Sequence, residues 1–534
     1  MMLIKRKFVF PFSNLFIIAF MEGAVVMAVE IVGAKMIVPY YGASLVVWTS
    51  VIGVTLISLA LGYFLGGQLS TLKFLKTILF YLFSISALWI GFMPLMGVFM
   101  LTLFQTQSIY SGTIYSALSL FSFPLILLGS STPIIIKLLT TDLEVSGKNS
   151  GLVFAISTIG GIVMTFALGF YIIPVWGISK PIFLISLGMI AISIVILYSN
   201  YRLFMGLIIL VFFIKPMNQI FINAEQTKSK SFLVHYKNEG LMGQLKVYDE
   251  NLNENAGYSR YLLVNGIPQT FINLQTGVSY FFYVHMISVL STIKPAGSNV
   301  LMLGFGGGSL ASELVEHKFK IDAVDIDKRM MYLAKTFFEY NDQNTQFYVD
   351  DARHYIKNTN NKYDLIILDM LVSEVQPSYM FSKEAFQELQ QIMNPNGLII
   401  INFQGFMTKN DGSGFRSIFR TLKASGFNDT KFIFTNCEKS NPCDIVFVAS
   451  IQPFDISGLN ENNINSCCLE HMEIVELIDK KQMNSIPEKG VSYILVDDKP
   501  MLEHLNNRAI RLWRESMIKN LAQKELQEGL RPYK

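Results

Sequence analysis

The stretch from Asn299 to Asp327, NVLMLGFGGGSLASELVEHKFKIDAVDID, decides how the second half of this chain folds. An apolar run, a glycine-rich turn, an amphipathic segment and a second apolar run follow one another, which predicts a strand, a turn, a helix and a strand. Asp325 ends the second strand, 21 positions after the first glycine, where a carboxylate can accept hydrogen bonds from ribose hydroxyls. Glycines let the backbone approach such a ligand closely, and the turn has four of them: Gly304, Gly306, Gly307 and Gly308.

The same turn favours an adenosyl cofactor over a dinucleotide. The third glycine of a dinucleotide pattern would fall on Ser309, and only one mononucleotide-like unit follows it, whereas a dinucleotide fold needs two. We therefore expect an adenosyl sulfonium cofactor, on a methyltransferase-like sheet. A purely structural tight turn is the alternative interpretation of the glycines.

The first half of the chain has the composition of a membrane domain. Of the 534 residues 51% are hydrophobic and only 16% are charged, and most of the charge lies after position 224. Apolar runs of about 20 residues are long enough to cross a bilayer. A shorter run, Leu203–Ile214, suits an interfacial or re-entrant segment. We predict six spans and this one partial element, and eight spans would serve equally well. The six are Leu15–Ile37, Leu45–Leu65, Thr77–Leu101, Ile114–Leu139, Leu152–Val175 and Pro181–Tyr198.

The basic residues of the short loops predict the orientation of these spans. With the N-terminus inside, eight basic residues face the cytoplasm and only Lys35 and Lys180 lie near the outer face. We expect a multi-pass protein of the cell (inner) membrane whose N-terminus and catalytic domain are cytoplasmic, with reduced cysteines. The eight inner residues are Lys5, Arg6, Lys7, Lys73, Lys76, Lys137, Lys148 and Arg202.

The predicted fold class is a multi-pass α-helical membrane domain followed by an α/β part, which combines a small β-domain with a Rossmann-like, class I methyltransferase-type sheet. Asn265-Gly266, between two short strands, is a strong hairpin signal in the β-domain. We divide the chain into transmembrane helices (1–223), a linker and small β-domain with a helix (224–295), the Rossmann-like catalytic domain (296–455) and a C-terminal α/β extension (456–534).

Three acids are predicted to meet at one edge of the large sheet. Asp325, Asp351 and Asp369 each follow a predicted strand, and ligands of such folds bind outside the carboxyl ends of the strands. Any one of the three could instead be a turn residue or a helix cap. Together they predict a transfer site that requires no metal and in which, if the acceptor is an amine, a carboxylate at Asp369 could orient it and take its proton.

Five short motifs, taken together, resemble those of one known family. They are similar to the D-G-x-x-Q, G-G-G-D-G, V-E-I-D, D-D-A and catalytic-aspartate motifs of the spermidine synthase (polyamine aminopropyltransferase) family. The likeness extends to its bacterial membrane-fused branch, whose N-terminal transmembrane domain resembles the first span here. In this chain the motifs are Asn265-Gly266-Ile267-Pro268-Gln269, Gly304-Phe305-Gly306-Gly307-Gly308, Val324-Asp325-Ile326-Asp327, Asp350-Asp351-Ala352 and Asp369.

The resemblance implies a role for each matched residue. Asp369 would be the catalytic aspartate and Asp325 would hold the ribose. Adenine would lie at Asp351 and Ala352. The bound cofactor would be decarboxylated S-adenosylmethionine or S-adenosylmethionine itself, used as a substrate. The remaining cofactor-binding residues would be Gly304, Gly306, Gly308 and Gln269.

The chain departs from the family pattern where the acceptor would bind. Gly307 stands in place of an aspartate, and the loop Asp369-Met370-Leu371-Val372-Ser373 replaces D-x-x-D-P. Phe282-Tyr283 aligns with a Tyr-His pair, with His285 displaced by two positions. Loss of carboxylates should weaken a dicationic acceptor. Tyr283 and Glu374 are the candidate acceptor residues.

Three hypotheses on function follow. The first is a membrane-anchored aminopropyltransferase acting on an amine such as putrescine. The second is an S-adenosylmethionine-dependent methyltransferase with a different acceptor, and the third is a metabolite-gated transporter or sensor. The expected partners are a small-molecule amine and the lipid bilayer, with a homodimer as an open alternative. The net charge of +3 gives no reason to expect nucleic-acid binding.

Overall fold

In the computed structural model the chain forms two compact units, one containing the N-terminal helices and the other containing two β-sheets with their helices. The structure describes residues 14–41, 45–104, 109–140, 142–196, 232–240, 243–253, 257–371, 376–407, 410–434, 442–456 and 490–516, together with isolated positions between these ranges.

The first unit is entirely helical over its described residues from 14 to 196. A π-helical turn, Leu118–Ser122, joins two of the helices, and a second one, Ala167–Ile172, joins two others. The helices are α1 (Asn14–Tyr41), α2 (Leu45–Leu69), α3 (Leu75–Phe104), α4 (Ile109–Ala117), α5 (Phe123–Leu139), α6 (Ser146–Phe166), α7 (Ile173–Trp176) and α8 (Ser179–Ile196).

Five helical segments among the described residues are long and apolar enough to cross a membrane, and they coincide with the first five predicted spans. The sixth predicted span falls on α8, which the structure describes as a shorter apolar helix up to Ile196. The partial element Leu203–Ile214 lies outside the described residues. The membrane-domain part of the predicted fold class is therefore confirmed as a bundle of apolar helices.

Small residues allow the helices of this bundle to touch backbone to backbone. A Cβ added at Gly160 of α6 would lie 2.1 Å from the carbonyl oxygen of Phe20 in α1, and one at Gly66 of α2 would lie 2.3 Å from that of Ser130 in α5. In the first pair of helices the hydroxyl of Ser157 also donates a hydrogen bond to the buried carboxyl of Glu22, at 2.6 Å. Close packing of small residues is how helices associate without a hydrophobic driving force.

The second unit begins with an antiparallel four-stranded sheet in the order β1-β2-β3-β4. Asn265 and Gly266, with φ of 52° and 78°, form the predicted two-residue hairpin turn, since both central residues of such a turn need positive φ. Three of the strands were predicted, while the first had no clear sequence pattern. The strands are β1 (Phe232–Gly240), β2 (Gly243–Asn253), β3 (Gly257–Val264) and β4 (Ile267–Asn273).

A seven-stranded sheet follows, with strand order β10-β11-β9-β8-β5-β6-β7. Its strands are β5 (Asn299–Leu303), β6 (Lys320–Asp325), β7 (Thr345–Val349), β8 (Tyr363–Leu368), β9 (Met393–Gly405), β10 (Asp429–Phe434) and β11 (Cys443–Ser450). Its helices are α9 (Phe282–Ser291), α10 (Ser309–Glu316), α11 (Arg329–Phe337), α12 (Ala352–Asn358), α13 (Lys383–Gln391), α14 (Ser413–Ser425) and α15 (Leu502–Leu505).

This sheet has the Rossmann-like, methyltransferase-type arrangement that was predicted. The strands β5 to β9 pair in parallel, and β11 runs antiparallel to both of its neighbours. Buried apolar side chains cover both faces of the sheet, which explains why β8, YDLIIL, is almost continuously apolar. Strand order reverses between β5 and β8, and ligands of such sheets bind at that reversal, outside the carboxyl ends of the strands.

One expectation about the cysteines is wrong. Cys443, the first residue of β11, is disulfide-bonded, whereas reduced thiols were predicted. The other three of the four cysteines lie outside the described residues. A disulfide is a feature of oxidising compartments, where it resists reduction.

The close approach of Gly304 and Asp369 fixes the edge of the large sheet at the reversal of strand order. Gly304 has a φ of 89°, and a Cβ placed on it would lie 2.1 Å from the carbonyl oxygen of Asp369 and 3.2 Å from the Cα of Met370. Only glycine fits, because any side chain would collide with the backbone and would also require a left-handed conformation. The end of β5 therefore holds the end of β8 in place.

We expect Gly304→Ala to destabilise the protein more than Gly297→Ala does. Gly297 has nearly the same φ, 87°, but a Cβ there would meet nothing within 4 Å. Gly297→Ala should cost about 1 kcal/mol from its backbone conformation alone. Gly304→Ala should cost a further 1–3 kcal/mol or so from the collision with Asp369. Thermal unfolding of the detergent-solubilised full chain measures both costs. Equal decreases in melting temperature would show that the close approach at Gly304 adds nothing to the cost of the substitution.

Candidate active site

The predicted site residues at the ends of β5, β6, β7 and β8 are adjacent. The Gly304 amide donates to the Val324 carbonyl at 2.9 Å, and the Asp369 amide donates to the Leu303 carbonyl at 2.9 Å. The Asp350 amide donates to the Asp325 carbonyl at 3.1 Å. These bonds continue the parallel ladder by one residue beyond each strand. They bring the glycine turn, Asp325, Asp351 and Asp369 to one edge of the sheet.

Asp325 holds the glycine turn in position. Its Oδ2 accepts a hydrogen bond from the Phe305 amide at 3.0 Å, and its Oδ1 accepts one from the Asp327 amide at 2.8 Å. Burial raises the pKa of this carboxyl to about 6, although the amide donors oppose the rise. A carboxylate has about four acceptor positions, so Asp325 keeps acceptor capacity for ribose hydroxyls after binding the turn.

The small sheet closes the glycine turn from the other side. The Thr270 hydroxyl accepts a hydrogen bond from the Gly307 amide at 2.8 Å. Gln269 precedes Thr270, and its carbonyl oxygen lies 3.6 Å from a Cβ placed at Gly306. The predicted residue Gln269 therefore lies beside the turn, although the structure brings its backbone rather than its amide into this contact. Thr270 was not predicted, because nothing in its sequence context distinguishes it from a strand residue.

The glycine turn leaves room for an adenosyl group. Gly304, Gly306 and Gly308 all have positive φ, between 56° and 89°, so the turn presents backbone without side chains. At its end, where α10 begins, the hydroxyl of Ser309 is buried and has no hydrogen-bond partner among the described residues. A buried hydroxyl without a partner is costly, and a polar ligand group in the cradle would satisfy it.

Asp351 is the N-cap of α12, the role weighed as an alternative to ligand binding. Its Oδ1 accepts from the amides of Arg353 and His354, at 2.9 and 3.0 Å, and its Oδ2 accepts from the Tyr379 hydroxyl at 2.7 Å. Ala352, the first residue of the helix, is buried. Both residues lie next to the end of β6, where the resemblance to the family would put adenine.

Arg353 fastens the C-terminal extension next to this cap. Its guanidinium binds Glu388 at 2.7 Å and Asp497 at 2.6 Å. The hydrogen bonds from Arg353, and then its charge, hold the pKa of each carboxyl below its usual range. Asp497 belongs to the Val496-Asp497-Asp498-Lys499-Pro500 segment, so this part of the extension is anchored at the site edge.

Asp369 combines partial burial with two hydrogen-bond donors. The Asn402 amide donates to its Oδ1 at 2.9 Å, and the Tyr283 hydroxyl donates to its carboxylate. Burial raises the pKa of Asp369 to about 6, and the two donors oppose the rise. The predicted acceptor residue Tyr283 thus contacts the predicted catalytic residue. Its own pKa is raised well above the usual value by burial and then by the charges of Asp369 and Asp444.

Gln404 and Asp444 are further residues that the sequence analysis missed, as it missed Thr270 and Asn402. Gln404 lies opposite Asp444 in the β9–β11 ladder, and its Nε2 donates to the Asp444 carboxylate at 3.4 Å. Burial, and then the charge of Asp369, raise the pKa of Asp444 to about 6. Because β11 runs antiparallel, its first residues lie at the edge where the parallel strands end. The sequence shows a polar residue at the start of this strand, but it does not show in which direction the strand runs.

His285, another residue of the predicted acceptor region, does not join this cluster. His285 is buried, with its Nε2 at 2.8 Å from the Ser279 carbonyl oxygen and its Nδ1 at 2.7 Å from the Glu313 carboxylate. Neither partner belongs to the group of polar residues around Asp369, and Glu313 is on α10. Glu374 lies outside the described residues.

The arrangement can seat a nucleoside along the glycine turn and present a carboxylate beside it. Asp325 and Asp369 follow neighbours of β5 on opposite sides, so they flank the turn at the end of that strand. A carboxyl whose pKa is raised toward neutrality is suited to accepting a proton from a reacting group. Among the described residues no group of three or more metal-ligating side chains is placed to hold an ion.

Several solved structures are similar to this chain. A probable spermidine synthase from Corynebacterium glutamicum aligns with a TM-score of 0.36 and 17% identity, over 46% of this chain and 85% of that one. Spermidine synthase from Thermotoga maritima aligns with a TM-score of 0.33 and 15% identity, over 50% of this chain and 82% of that one.

Sequence comparison finds relatives of the second half of the chain. Residues 280–438 match the model of the spermine/spermidine synthase domain. A polyamine aminopropyltransferase from Vibrio vulnificus is 31% identical over 150 residues, 26% of this chain, and one from Thermoplasma acidophilum is 28% identical over 195 residues, 34% of this chain. The chain spans 50% of the length of the first relative and 69% of the second. Residues 280–438 of this chain are thus similar to the spermine/spermidine synthase domain.

Proposed function

We propose that this protein is a membrane-anchored aminopropyltransferase that transfers the aminopropyl group of decarboxylated S-adenosylmethionine to an amine. The observation that carries the proposal is the position of Asp369. This carboxyl has a raised pKa, touches the Tyr283 hydroxyl and follows the strand next to the glycine turn. Adjacent strands of one sheet thus supply the glycine turn that would bind the nucleoside and the carboxylate that would accept the proton.

The glycine turn and the acids beside it would hold the adenosyl part. Gly304, Gly306 and Gly308 leave room for the ligand, and Asp325 would accept hydrogen bonds from the ribose hydroxyls. The edge formed by Asp351 and Ala352 would receive the adenine. With the sugar and base fixed in this way, the sulfonium carbon would face Asp369. A transfer needs the attacking atom aligned with the breaking bond.

The transfer itself requires a neutral amine. An amine with a pKa near ~10 arrives protonated, and it must lose a proton before or as it attacks. The amine nitrogen forms a bond to the carbon attached to sulfur, and the carbon–sulfur bond breaks with its electron pair going to sulfur. The proton leaves the nitrogen for the Asp369 carboxylate, and a neutral thioether is released. Asn402 and Tyr283 position that carboxylate by donating to it.

We also propose that the domain faces the cytoplasm of a cell whose inner membrane holds the apolar helices. Five helical segments are long and apolar enough to span, and the basic residues of their loops favour an inside N-terminus. The substrate would then be made on the side where the site lies. The disulfide at Cys443 favours the other side, because disulfides persist in oxidising compartments. The side of the membrane on which the domain lies therefore needs a direct test.

Asp369→Asn should slow the transfer strongly without unfolding the protein. Since proton acceptors contribute factors of 10² to 10⁴, kcat should fall by roughly 100-fold or more. The pKa of Asp369 is higher in the folded protein than in the unfolded chain, so its ionisation costs stability as pH rises through about 6. The variant should thus be no less stable than wild type at pH 7.5. Mass analysis of the thioether and the aminopropylated amine tests this, and a fully active variant would refute the assignment.

The dependence of kcat on pH should show an acid limb near pH 6. Asp369 must be ionised to take a proton, and its raised pKa of about 6 means that the ionised fraction falls as pH drops below that value. Asp444 titrates in the same range, so the apparent pKa belongs to the pair. The limb should disappear from the residual activity of Asp369→Asn. A rate that stays constant from pH 7 to pH 5 would contradict the role of Asp369 as base.

A protease added to intact spheroplasts should leave the C-terminal domain uncut. A tag at the C-terminus would report cleavage, and permeabilised cells would serve as the control in which the domain is digested. Protection before permeabilisation is the expected result for a cytoplasmic site. Cleavage in intact spheroplasts would place the domain outside, in agreement with the disulfide at Cys443.

A further inference from the structure

The buried carboxyl of Glu22 on α1 has no cationic partner among the described residues. Glu22 is only 3% exposed and lies in a segment that is long and apolar enough to cross a membrane. Two hydroxyls contact its carboxyl, that of Ser157 on α6, at 2.6 Å, and that of Thr132 on α5. Lys35, the basic residue of the same helix, lies 13 positions further along it, about 20 Å away. Because an ionised carboxylate without a counter-charge is too costly in such a place, its charge must be balanced by a cation taken from water.

Three helices bring oxygen atoms together at Glu22. The carboxyl comes from α1, and the hydroxyls of Thr132 and Ser157 come from α5 and α6. Pro133 follows Thr132 inside α5, and it has no amide proton to donate to the Gly129 carbonyl four residues earlier. Gly129 and Thr132 are three residues apart, so they lie on the same face of the helix. Carboxylate, hydroxyl and carbonyl oxygens at a break in helical hydrogen bonding are the groups that bind small cations inside membrane proteins.

This cluster lies closer to one end of the helical unit than to the other. Glu22, Thr132 and Ser157 are 8, 7 and 11 residues from the near ends of their apolar segments, about 10 to 17 Å along the helices. The near ends of α5 and α6 are joined, because the side-chain amide of Asn149 donates to the Leu139 carbonyl at 2.9 Å. Exchange of a cation with water is therefore expected from this end.

We propose that Glu22, Thr132 and Ser157 form an exchangeable site for a small monovalent cation, a proton or a sodium ion, inside the helical unit. The carboxylate takes up a proton from water, or releases it when sodium binds to its oxygens. Tyr63 of α2 is the titratable side chain among the described residues that feels the charge of Glu22. A carboxyl that changes its occupant inside a membrane gives the helices a function besides anchoring the chain. The inference rests on the membrane position proposed for the helices and is independent of the transfer reaction.

The test is infrared difference spectroscopy of the full chain in liposomes. The buffer is changed from pH 6 to pH 9 in choline chloride, and separately from choline chloride to sodium chloride at pH 6 and constant ionic strength. In at least one exchange, wild type should lose the band of one protonated carboxyl and gain that of a carboxylate. Glu22→Gln should lack this component, and its neutral amide of similar shape should keep the helices packed. A loss that needs only the change of pH identifies a proton, and a loss caused by sodium identifies a sodium ion.

Glu30→Gln is the matched control, because Glu30 is the other acid of α1. It should leave the Glu22 component unchanged. Ser157→Ala removes a hydroxyl of the site, whereas Thr158→Ala removes an exposed hydroxyl next to it on the same helix. Ser157→Ala should move the cation concentration at which the Glu22 band is half lost by roughly tenfold or more, as expected for a hydrogen bond to a charged group. Thr158→Ala should leave that midpoint in place.

Two results would overturn the proposal. Identical spectra of wild type and Glu22→Gln in both exchanges would mean that Glu22 keeps a fixed proton and serves only helix packing. Equal midpoints in Ser157→Ala and Thr158→Ala would show that the Ser157 hydroxyl does not belong to a cation site. Retention of the chain in the liposomes after an alkaline carbonate wash checks the membrane position separately. The mass analysis of the transfer products does not depend on any of these results.

Discussion

The backbone of Gly304 lies so close to the carbonyl of Asp369 that no side chain fits between them. This single approach joins the ends of β5 and β8, the two strands between which the order of the sheet reverses. Everything at the site depends on it. The glycine turn starts at Gly304, and the carboxylate proposed as the proton acceptor belongs to the residue whose carbonyl it meets. A ligand in the turn and a base beside it are therefore positioned by the same contact.

Three carboxyls near this contact have their pKa raised to about 6, and in each case burial is the largest cause. Asp325, Asp369 and Asp444 would each be more favourable to folding if protonated or replaced by neutral residues. Retaining them costs stability at neutral pH. Such a cost is common where a chain needs reactive groups, and the hydrogen bonds from Phe305, Asn402 and Gln404 offset part of it.

The two units of the chain follow different physical rules. In the helical unit neighbouring helices touch backbone to backbone at Gly66 and Gly160, the kind of packing that joins apolar helices in lipid. In the sheet unit apolar side chains cover both faces of a parallel sheet. The polar groups of the site are confined to one edge, where the strands end.

The sequence by itself determined most of the elements and the residues at which the parallel strands end. The strand–turn–helix–strand pattern from Asn299 to Asp327 depends on local periodicity and on glycines, and both act over a few residues. The apolar spans depend on length and composition alone. Local signals of this kind give Gly304, Asp325 and Asp369 without knowledge of the strand order.

Only the tertiary structure decided which polar residues meet across strands. The pairing of Asn402 with Asp369, the contact of Thr270 with Gly307 and the approach of Asp444 from a reversed strand each join residues more than 30 positions apart. The direction of β11 places its first residues at the site, and that direction is set by packing of the whole sheet, which no short stretch of sequence records.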